Sequence, residues 1–399
     1  MIKRIQDMDV TNKRVLLRCD FNVPVKEGKI LDDSKIIASL QTIEYLIKKG
    51  SKVIILSHFG KVKTEADKEN NTLAPVANRL QELLNKPVIF SKQPRSLYLE
   101  AKIESMQPGD LILLENTRFE DIPNKLESEC DPQLSMYWAG LADIFCLDAF
   151  GSAHRKHAST YGVAEHLPSC IGFLVQQEIE MLDKYVLQGE HPFTIVMGGA
   201  KVEDKVSLIE ALLPKCDHLL VTGGIANSLL YTLGFNVGSS LCTKDPEIIA
   251  RLKTILVQNK NKIVLPTDVI VGRSYEASYI KHINYTEITN DDIIGDIGMN
   301  TVNEFTKIIN ESQTVFVNGT AGKYEENEYA TGTRELLTNI ANAKCKKVAG
   351  GGDGVSAIKK FNLGEKFTYL STGGGATLEY IINNGHLPAI DNIETVEEL

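Results

Sequence analysis

Hydrophobic residues recur along the chain as short aliphatic runs, each followed by a polar or glycine-rich turn and a longer amphipathic stretch. Several runs are apolar throughout, which is typical of strands buried on both faces of a parallel sheet. The pattern predicts strands at Arg14–Leu17, Val53–Leu56, Leu111–Leu114, Ile144–Leu147, Phe193–Met197, Leu219–Thr222, Ile263–Leu265, Thr314–Val317, Lys347–Ala349 and Phe367–Leu370.

The stretches between these runs have helical spacing. In "SKIIASLQTIEYLIKKG" the residues Ile36, Leu40, Ile43 and Ile47 fall on one face, and Gly50 ends the segment. A second amphipathic segment reads "DPQLSMYWAGLAD". Alternation of strand and helix predicts an α/β fold class built from doubly wound parallel sheets.

The chain length of 399 residues fits two domains better than one core. A predicted helix from Val175 to Leu187, ended by Gly189 and Pro192, separates the two sets of strands, and we place the domain junction there. The polar segment 60–72 is expected to be a surface loop.

Composition narrows the class of protein. Hydrophobic residues make up 43% and charged residues 24%, as in an average globular protein. We expect no membrane span and no signal peptide, and the net charge of −9 argues against general nucleic-acid binding. The seven cysteines form no CxxC pair and fit free thiols in a reducing, cytoplasmic compartment.

Ligands of open α/β sheets bind beyond the carboxyl ends of the strands. In the first half these ends carry cationic or potentially cationic groups, although the whole chain is acidic. The groups are Arg18, His58, Lys61, Arg118, His154 and Arg155. Such a cluster favours a small anionic ligand, a phosphate or a carboxylate; the alternative is a set of salt-bridged surface charges.

In the second half the strand ends are rich in glycine. They read "GGAKVEDK", "GGIAN", "PTD", "NGTAGKYE", "GGGDG" and "STGGGAT". Glycine lets backbone N–H groups turn toward an anion, and a following helix adds its positive end. We therefore predict phosphate-binding loops; the alternative is that each glycine only serves a strand-to-helix turn.

Four polar residues at these ends have candidate roles. Lys201 and Lys205 are expected on one helical face, where they would neutralise phosphate or simply be solvated. Asp353 would hold Mg²⁺ or cap the next helix. Glu325 would bond a ribose hydroxyl or be a surface acid. Together the two halves predict a phosphorylated acid, a nucleotide, and phosphoryl transfer between them on domain closure.

Several nucleotide-binding motifs are missing. The sequence has no G-x-x-x-x-G-K-[ST] P-loop and no protein-kinase motif set. The segment from Gly352 to Ala357 matches G-x-G-x-x-A, which keeps an NAD-dependent dehydrogenase as an alternative.

Taken together, the motifs resemble those of the phosphoglycerate kinase family along nearly the whole chain. In order they are "RCDFNVP", "SHFGK", "ENTRF", "DAFGSAHRKHAS", "GGAKVEDK", "LPTD", "GDIG", "GTAGKYE", "GGGD" and "STGGGATLE". The resemblance implies two Rossmann-like doubly wound domains joined by a hinge helix. It places the acid-binding domain at 1–170 with 383–399 returning to it, the hinge at 171–189, and the nucleotide-binding domain at 190–382.

The resemblance also implies an activity. It is reversible, in-line phosphoryl transfer between 1,3-bisphosphoglycerate and ADP in a closed interdomain cleft, giving 3-phosphoglycerate and ATP. The enzyme would be a phosphotransferase with a carboxyl group as acceptor. We expect Mg²⁺ as cofactor, these small molecules as partners, no nucleic acid or membrane partner, and a cytoplasmic monomer serving glycolysis and gluconeogenesis.

Family motifs assign the site residues one by one. The acid would be bound by Asp20, Phe21, Asn22, Lys35, His58, Phe59, Gly60, Lys61, Arg118 and Arg155. The nucleotide would be bound by Lys201, Lys205, Gly223, Gly224, Asn318, Gly319, Glu325, Gly351, Gly352, Asp353 and Gly354, with Asp353 at the metal. The catalytic groups would be Lys35, Lys205 and the amides of Gly373, Gly374 and Gly375.

This chain departs from the family pattern at several positions. Lys35 stands where the family usually has the arginine thought to stabilise the transferring group, and lysine lacks its planar fork of donors. Lys61–Val62 replaces Arg-Pro, and Gly354 replaces a threonine. "FVNGTAGKYE" lacks the usual tryptophan and Pro-Met, and "GDIGMNT" lacks a proline. Lys35 keeps a second hypothesis open, a divergent paralogue with weak or no kinase activity that acts as a metabolite-binding protein.

Overall fold

The computed structural model describes residues 1–275 and 280–396. The chain divides into two compact units, Met1–Ile179 with His386–Leu399, and Glu180–Gly385. The domain limits that the resemblance implies stay predictions. Within the described residues, no helix combines the length and the apolar character that a membrane crossing requires.

The first unit is built on a six-stranded parallel sheet of order β5-β6-β4-β1-β7-β8. Its elements are β1 (Arg14–Cys19), β2 (Val25–Lys26), β3 (Lys29–Ile30), α1 (Ser34–Lys48), β4 (Lys52–Leu56), α2 (Asp67–Asn70), α3 (Ala74–Leu84), β5 (Ile89–Ser91), α4 (Leu97–Ser105), β6 (Leu111–Leu114), α5 (Pro132–Gly140), β7 (Ile144–Asp148), β8 (Ser169–Ile171) and the start of α6 (Phe173–Leu182). The central strands are buried along almost their whole length, as their uninterrupted apolar runs predict.

The second unit holds a second six-stranded parallel sheet, of order β11-β10-β9-β15-β16-β17, and an antiparallel sheet of order β13-β12-β14. Its elements are β9 (Phe193–Met197), α7 (Glu203–Leu212), β10 (His218–Val221), α8 (Gly223–Thr232), α9 (Pro246–Gln258), β11 (Ile263–Val264), β12 (Asp268–Gly272), β13 (Lys281–Asn284), β14 (Ile293–Ile297), α10 (Met299–Glu311), β15 (Thr314–Asn318), α11 (Thr331–Asn342), β16 (Lys346–Gly350), α12 (Gly352–Lys360), β17 (Tyr369–Leu370) and α13 (Gly375–Ile382). The last helix, α14 (Pro388–Asp391), belongs to the first unit.

The predicted α/β fold class is confirmed: both large sheets are parallel, and strands alternate with helices. Every predicted strand is present, with ends that differ by at most two residues. The largest differences are at the end of β1, which continues to Cys19, and at the start of the last strand, which begins at Tyr369 because Phe367 directly follows a 3₁₀ turn. In α1, Ile36 and Ile43 of the predicted face are fully buried. The segment 60–72 contains the short helix α2.

The predicted junction helix is present, but its hydrogen-bonding pattern changes from α-helical to π-helical. The α-helical part, α6, ends at Leu182, and the residues Asp183–Leu187 form a π-helical turn. At its beginning, the Asp148 carboxylate accepts hydrogen bonds from the backbone N–H groups of Leu174 at 2.9 Å and Val175 at 3.3 Å. Burial raises the pKa of Asp148 to about 7. Strand β7 therefore sets where α6 begins.

Candidate active site

In the first unit, the turns after β1 and β4 bring several predicted residues together. The Asp20 carboxylate accepts a hydrogen bond from Lys35 Nζ at 2.8 Å. The Asn22 side-chain oxygen accepts one from the N–H of Gly60 at 2.9 Å. Burial alone would raise the pKa of Asp20, but the charge of Lys35 lowers it to about 2. Asp20 is therefore ionised at neutral pH, and its charge is matched by Lys35.

Arg18, which the sequence placed among the cationic groups, is fully buried and bonded from within. Its Nε donates to Ser159 Oγ at 2.8 Å, and the N–H of Ser159 donates to Glu127 Oε2 at 2.9 Å. Burial lowers the pKa of Arg18, while the buried Glu127 carboxylate opposes that shift. Arg18 is thus a buried group whose charge is compensated by Glu127, and it holds Ser159 in place by a hydrogen bond.

The cationic surface itself is formed by Arg118 and Arg155. Arg118 Nε is buried and has no hydrogen-bond partner among the described residues. Burial and the nearby charge of Arg155 lower the pKa of Arg118. Arg155 is exposed and donates from Nε to His154 Nε2 at 3.1 Å. The two arginines, with no carboxylate bonded to the Arg118 Nε, are suited to an anion that supplies the missing acceptors.

Two buried histidines lie near enough to these arginines for the arginine charges to affect their pKa values. Burial, followed by the charges of Arg18 and Arg118, lowers the pKa of His157 to about 3. Burial likewise lowers the pKa of His58 well below its ordinary value, although Asp20 opposes the shift. His58, counted above as potentially cationic, is therefore neutral at pH 7. It can serve the site as a hydrogen-bonding group but not as a charge.

The remaining predicted residues of this unit differ in exposure. Phe21 is buried, and its N–H donates to Ser57 Oγ at 2.9 Å. Phe59 is also buried, and Lys61 is exposed. Only the lysine can therefore contact a ligand through its side chain without a rearrangement.

Sequence reasoning missed Asn116, which joins the "SHFGK" and "ENTRF" segments. It is fully buried, and its side-chain oxygen accepts from the N–H groups of Phe59 at 3.0 Å and Arg118 at 3.1 Å. Its amide nitrogen donates to the carbonyls of Phe59 at 2.7 Å and Asn71 at 2.8 Å. Asn116 positions the backbone of both segments.

We expect Asn116→Leu to lower the free energy of unfolding by roughly 2–4 kcal/mol, because several buried backbone groups lose their partners. The KM for the phosphorylated acid should rise, since Arg118 would no longer be held. Denaturant unfolding and steady-state kinetics measure both effects. The KM for the nucleotide, bound by other segments, is the internal control, and a variant that raised both KM values equally would show that Asn116 acts on the whole fold.

In the second unit, the site lies where the strand order reverses. Strand β9 pairs with β10 on one side and with β15 on the other, and this is where open α/β sheets bind ligands. The N–H of Gly198 donates to the carbonyl of Asn318 at 2.9 Å. Gly319 has a φ of +86°, and a Cβ on it would lie 2.2 Å from the Gly198 carbonyl oxygen. Only glycine allows this approach.

Lys205 lies at this switch point. Its Nζ donates to the Gly198 carbonyl at 2.7 Å and to Asn318 Oδ1 at 2.5 Å. Burial lowers the pKa of Lys205 to about 8, and the carboxylate of Asp353 limits the shift. Lys201 does not share a helical face with it, because α7 begins only at Glu203. That expectation was wrong, and Lys201 instead lies exposed in the preceding turn.

Beside these strand ends is a pocket of about 370 Å³. Its lining includes the glycine turns, two predicted acids, and aliphatic and aromatic residues. Among them are Gly199, Gly223, Gly224, Leu241, Tyr275, Ile294, Ala321, Lys323, Glu325 and Asp353. Glu325 is exposed at this pocket, where it can reach a ribose hydroxyl.

The two triple-glycine segments each open a helix. Gly351, at φ +86°, precedes α12, which begins at Gly352. Asp353 therefore lies inside the first turn and is not the N-cap. Gly374, at φ +56°, precedes α13, and nothing lies within 4 Å of a Cβ built on it or on Gly375. These helix starts leave room for an anion.

The dehydrogenase fingerprint does not form a dinucleotide loop. It follows β16, whereas such a loop follows the first strand of the sheet, which here is β9. At that first turn the chain has "GGAKVEDK", with Lys205 in the helix that follows. Two units, one with clustered arginines and one with glycine-lined strand ends, define a phosphotransferase.

Comparisons with known proteins name the family. The profile of the phosphoglycerate kinase family matches residues 5–384. Phosphoglycerate kinase from Macrococcus caseolyticus is 44% identical over 396 residues, covering 98% of this chain and 99% of the relative. The structure of phosphoglycerate kinase from Coxiella burnetii has a TM-score of 0.86 at 37% identity, and that from Pyrococcus horikoshii 0.84 at 32%, each covering 98% of both chains. The chain belongs to the phosphoglycerate kinase family.

Proposed function

We propose that the first unit binds the phosphorylated acid and the second unit the nucleotide in reversible transfer of a phosphoryl group between 1,3-bisphosphoglycerate and ADP. The observation that carries the proposal is the family match over residues 5–384, which contains both clusters described above. None of the comparisons favours a divergent relative with weak kinase activity.

On the acid side, Arg118 and Arg155 are proposed to hold the phosphate of the substrate. Asp20 would accept a hydrogen bond from its hydroxyl group, whereas Asn22 and neutral His58 would each accept from the hydroxyl or donate to the carboxylate. Lys35 would neutralise charge on the transferring group. In support, the charges of Arg18, Arg118 and Arg155 add to the burial that lowers the pKa of His157 at this place.

On the nucleotide side, Lys205 and the amides of Gly373, Gly374 and Gly375 are proposed to receive the phosphates. The other predicted nucleotide-binding residues lie at strand ends and helix starts and would also contact the nucleotide. These contacts are Lys201, Gly223, Gly224, Asn318, Gly319, Gly351, Gly352 and Gly354. Glu325 would bind the ribose. Because the acceptor of the reverse reaction is an ionised carboxylate, no general base is required.

The residues present fit Mg²⁺. In the described part of the chain, no cluster of three histidine, cysteine or acidic side chains could hold a metal ion. Mg²⁺ at phosphoryl-transfer sites is bound by one or two carboxylates together with substrate phosphates, and exposed Asp353 offers such a carboxylate. Asp353 would therefore hold the ion only with the nucleotide, and the ion would neutralise phosphate charge.

The setting is also a proposal. We propose a cytoplasmic monomer that acts on small molecules in glycolysis and gluconeogenesis, without nucleic-acid or membrane partners. The net charge of −9 and the seven free cysteines support it. Closure about a hinge stays a prediction of the resemblance.

A direct assay tests the function. The purified chain with 3-phosphoglycerate and MgATP should form 1,3-bisphosphoglycerate, detected by a coupled dehydrogenase that oxidises NADH. Chelation should abolish turnover, and added Mg²⁺ should restore it. NADH oxidation without the coupling enzyme would instead indicate dehydrogenase activity, and no turnover would contradict the proposal.

A further inference from the structure

One cation lies in the nucleotide pocket apart from the phosphate-binding groups. Lys323 lines the pocket, and its Nζ is 5.1 Å from the centroid of the Tyr275 ring, which also lines it. Lys205, by contrast, is not part of this lining and lies at the glycine turns, where its Nζ donates to the Gly198 carbonyl at 2.7 Å. The two lysines therefore serve different parts of the ligand.

The apolar residues of the pocket lining suit a purine base. Leu241, Tyr275, Ile294 and Ala321 belong to that lining, and a planar base is bound by such surfaces, whereas phosphates require the amide-rich strand ends. Lys323 is anchored next to Ile294, because its backbone N–H donates to the Gly295 carbonyl at 2.8 Å. Its ammonium group lies over the Tyr275 ring, so a base held among these apolar residues would have the ammonium group near its edge.

Within residues 1–275 and 280–396, the ammonium group of Lys323 has no hydrogen-bond acceptor. The Glu326 carboxylate is 3.8 Å away, which is beyond hydrogen-bonding distance, and both side chains are 39% exposed. The interaction with the Tyr275 ring is a cation–π contact, so it does not occupy an N–H donor with a hydrogen bond. A lysine has three donors and no acceptor, so it favours a base edge that presents acceptors.

We infer that Lys323 selects 6-oxopurine nucleotides, so that the chain uses guanine and hypoxanthine nucleotides at least as well as adenine nucleotides. Guanine presents two acceptors on this edge, N7 and O6, whereas adenine presents an amino donor in place of O6. The Lys323 ammonium group can donate to both N7 and O6 of guanine. On adenine it would face the amino group, which is also a donor. This inference rests on the proposed function and specifies the substrate of its nucleotide site.

The test compares kcat/KM for MgATP, MgGTP and MgITP with 3-phosphoglycerate as the second substrate. We expect GTP and ITP to match or exceed ATP, and Lys323→Met to lower the GTP-to-ATP ratio about tenfold, mainly through the KM for GTP. ITP, which shares O6 with GTP but lacks its 2-amino group, should follow GTP.

Lys102→Met is the matched control. Lys102 also lies over a tyrosine ring, with its Nζ 5.5 Å from the centroid of the Tyr98 ring, and both residues belong to the first unit, outside the nucleotide pocket. Its replacement should leave the GTP-to-ATP ratio unchanged. Calorimetric binding of MgGDP and MgADP to the wild type and to Lys323→Met gives the same comparison without turnover.

The outcomes separate the two proposals. A wild type that prefers ATP, or a ratio that Lys323→Met does not change, overturns the inference while leaving the kinase function intact. A chain that turns over no nucleotide contradicts the proposed function, and the binding ratio of MgGDP to MgADP then still decides for or against Lys323.

Discussion

Replacing Lys35 by alanine is expected to lower kcat about 10²–10³-fold while changing nucleotide binding far less, as for loss of a group that stabilises charge only in the transition state. Lys35 is the second residue of α1. Its Nζ donates a hydrogen bond to the buried Asp20 carboxylate at 2.8 Å, and its side chain is still 32% exposed. It can therefore interact with a ligand while it holds Asp20. Steady-state kinetics with both substrates varied, together with direct nucleotide binding, measure the two effects.

Two variants make the test specific. Lys35→Arg restores the charge and adds a planar fork of donors, so it should retain or exceed wild-type kcat. Lys48→Ala removes an exposed lysine at the other end of the same helix and should leave kcat unchanged. If Lys35→Ala weakened nucleotide binding as much as it lowered kcat, its proposed role at the transferring group would be wrong.

Lys205→Met should lower kcat/KM for the nucleotide about 10²–10³-fold, because the cation at the strand-order reversal is lost. The wild type should also depend on pH through this residue. Burial lowers the pKa of Lys205 to about 8, so the ammonium is present below pH 8 and is lost above it. The kcat/KM profile, which reports the free enzyme, should fall as pH rises through about 8.

The pH profile separates a charge effect from a structural one. Lys205→Arg keeps its charge at all accessible pH values, so the fall near pH 8 should disappear even if the absolute rate is reduced. Lys201→Met changes an exposed lysine in the preceding turn and should retain the fall. A profile that is identical in the wild type and in Lys205→Arg would exclude Lys205 as the titrating group.

Much of the fold could be predicted because its central strands are buried on both faces. Strand β4 reads as an uninterrupted aliphatic run, and Val53 to Leu56 are all fully buried. Other strands carry a weaker signal or none. The short edge strands β5 and β8 and the polar, mostly exposed strand β13 could not be predicted, because pairing with a neighbour makes these segments extended. Strands β12 and β14 were also missed, although each contains a short buried aliphatic run.

The candidate site was predictable where backbone chemistry dictates the residue. Gly319 stands against the Gly198 carbonyl, and a Cβ would clash there. Asn116 could not be found in this way, because three of its four hydrogen bonds are to Phe59 and Asn71, which are distant in sequence. The charge of His58 was likewise misjudged, since it depends on burial and on neighbours that only the folded chain brings close.

The chain termini meet in the first unit, and this constrains the order of folding during synthesis. The N–H of Lys3 donates to the Glu394 carbonyl at 2.8 Å, and the N–H of Ala389 to that of Ala153 at 3.0 Å. The residues 180–385 form an uninterrupted unit that is fully translated before the segment that completes the first unit. The N-terminal unit, although translated first, acquires its final contacts only after the last residues emerge.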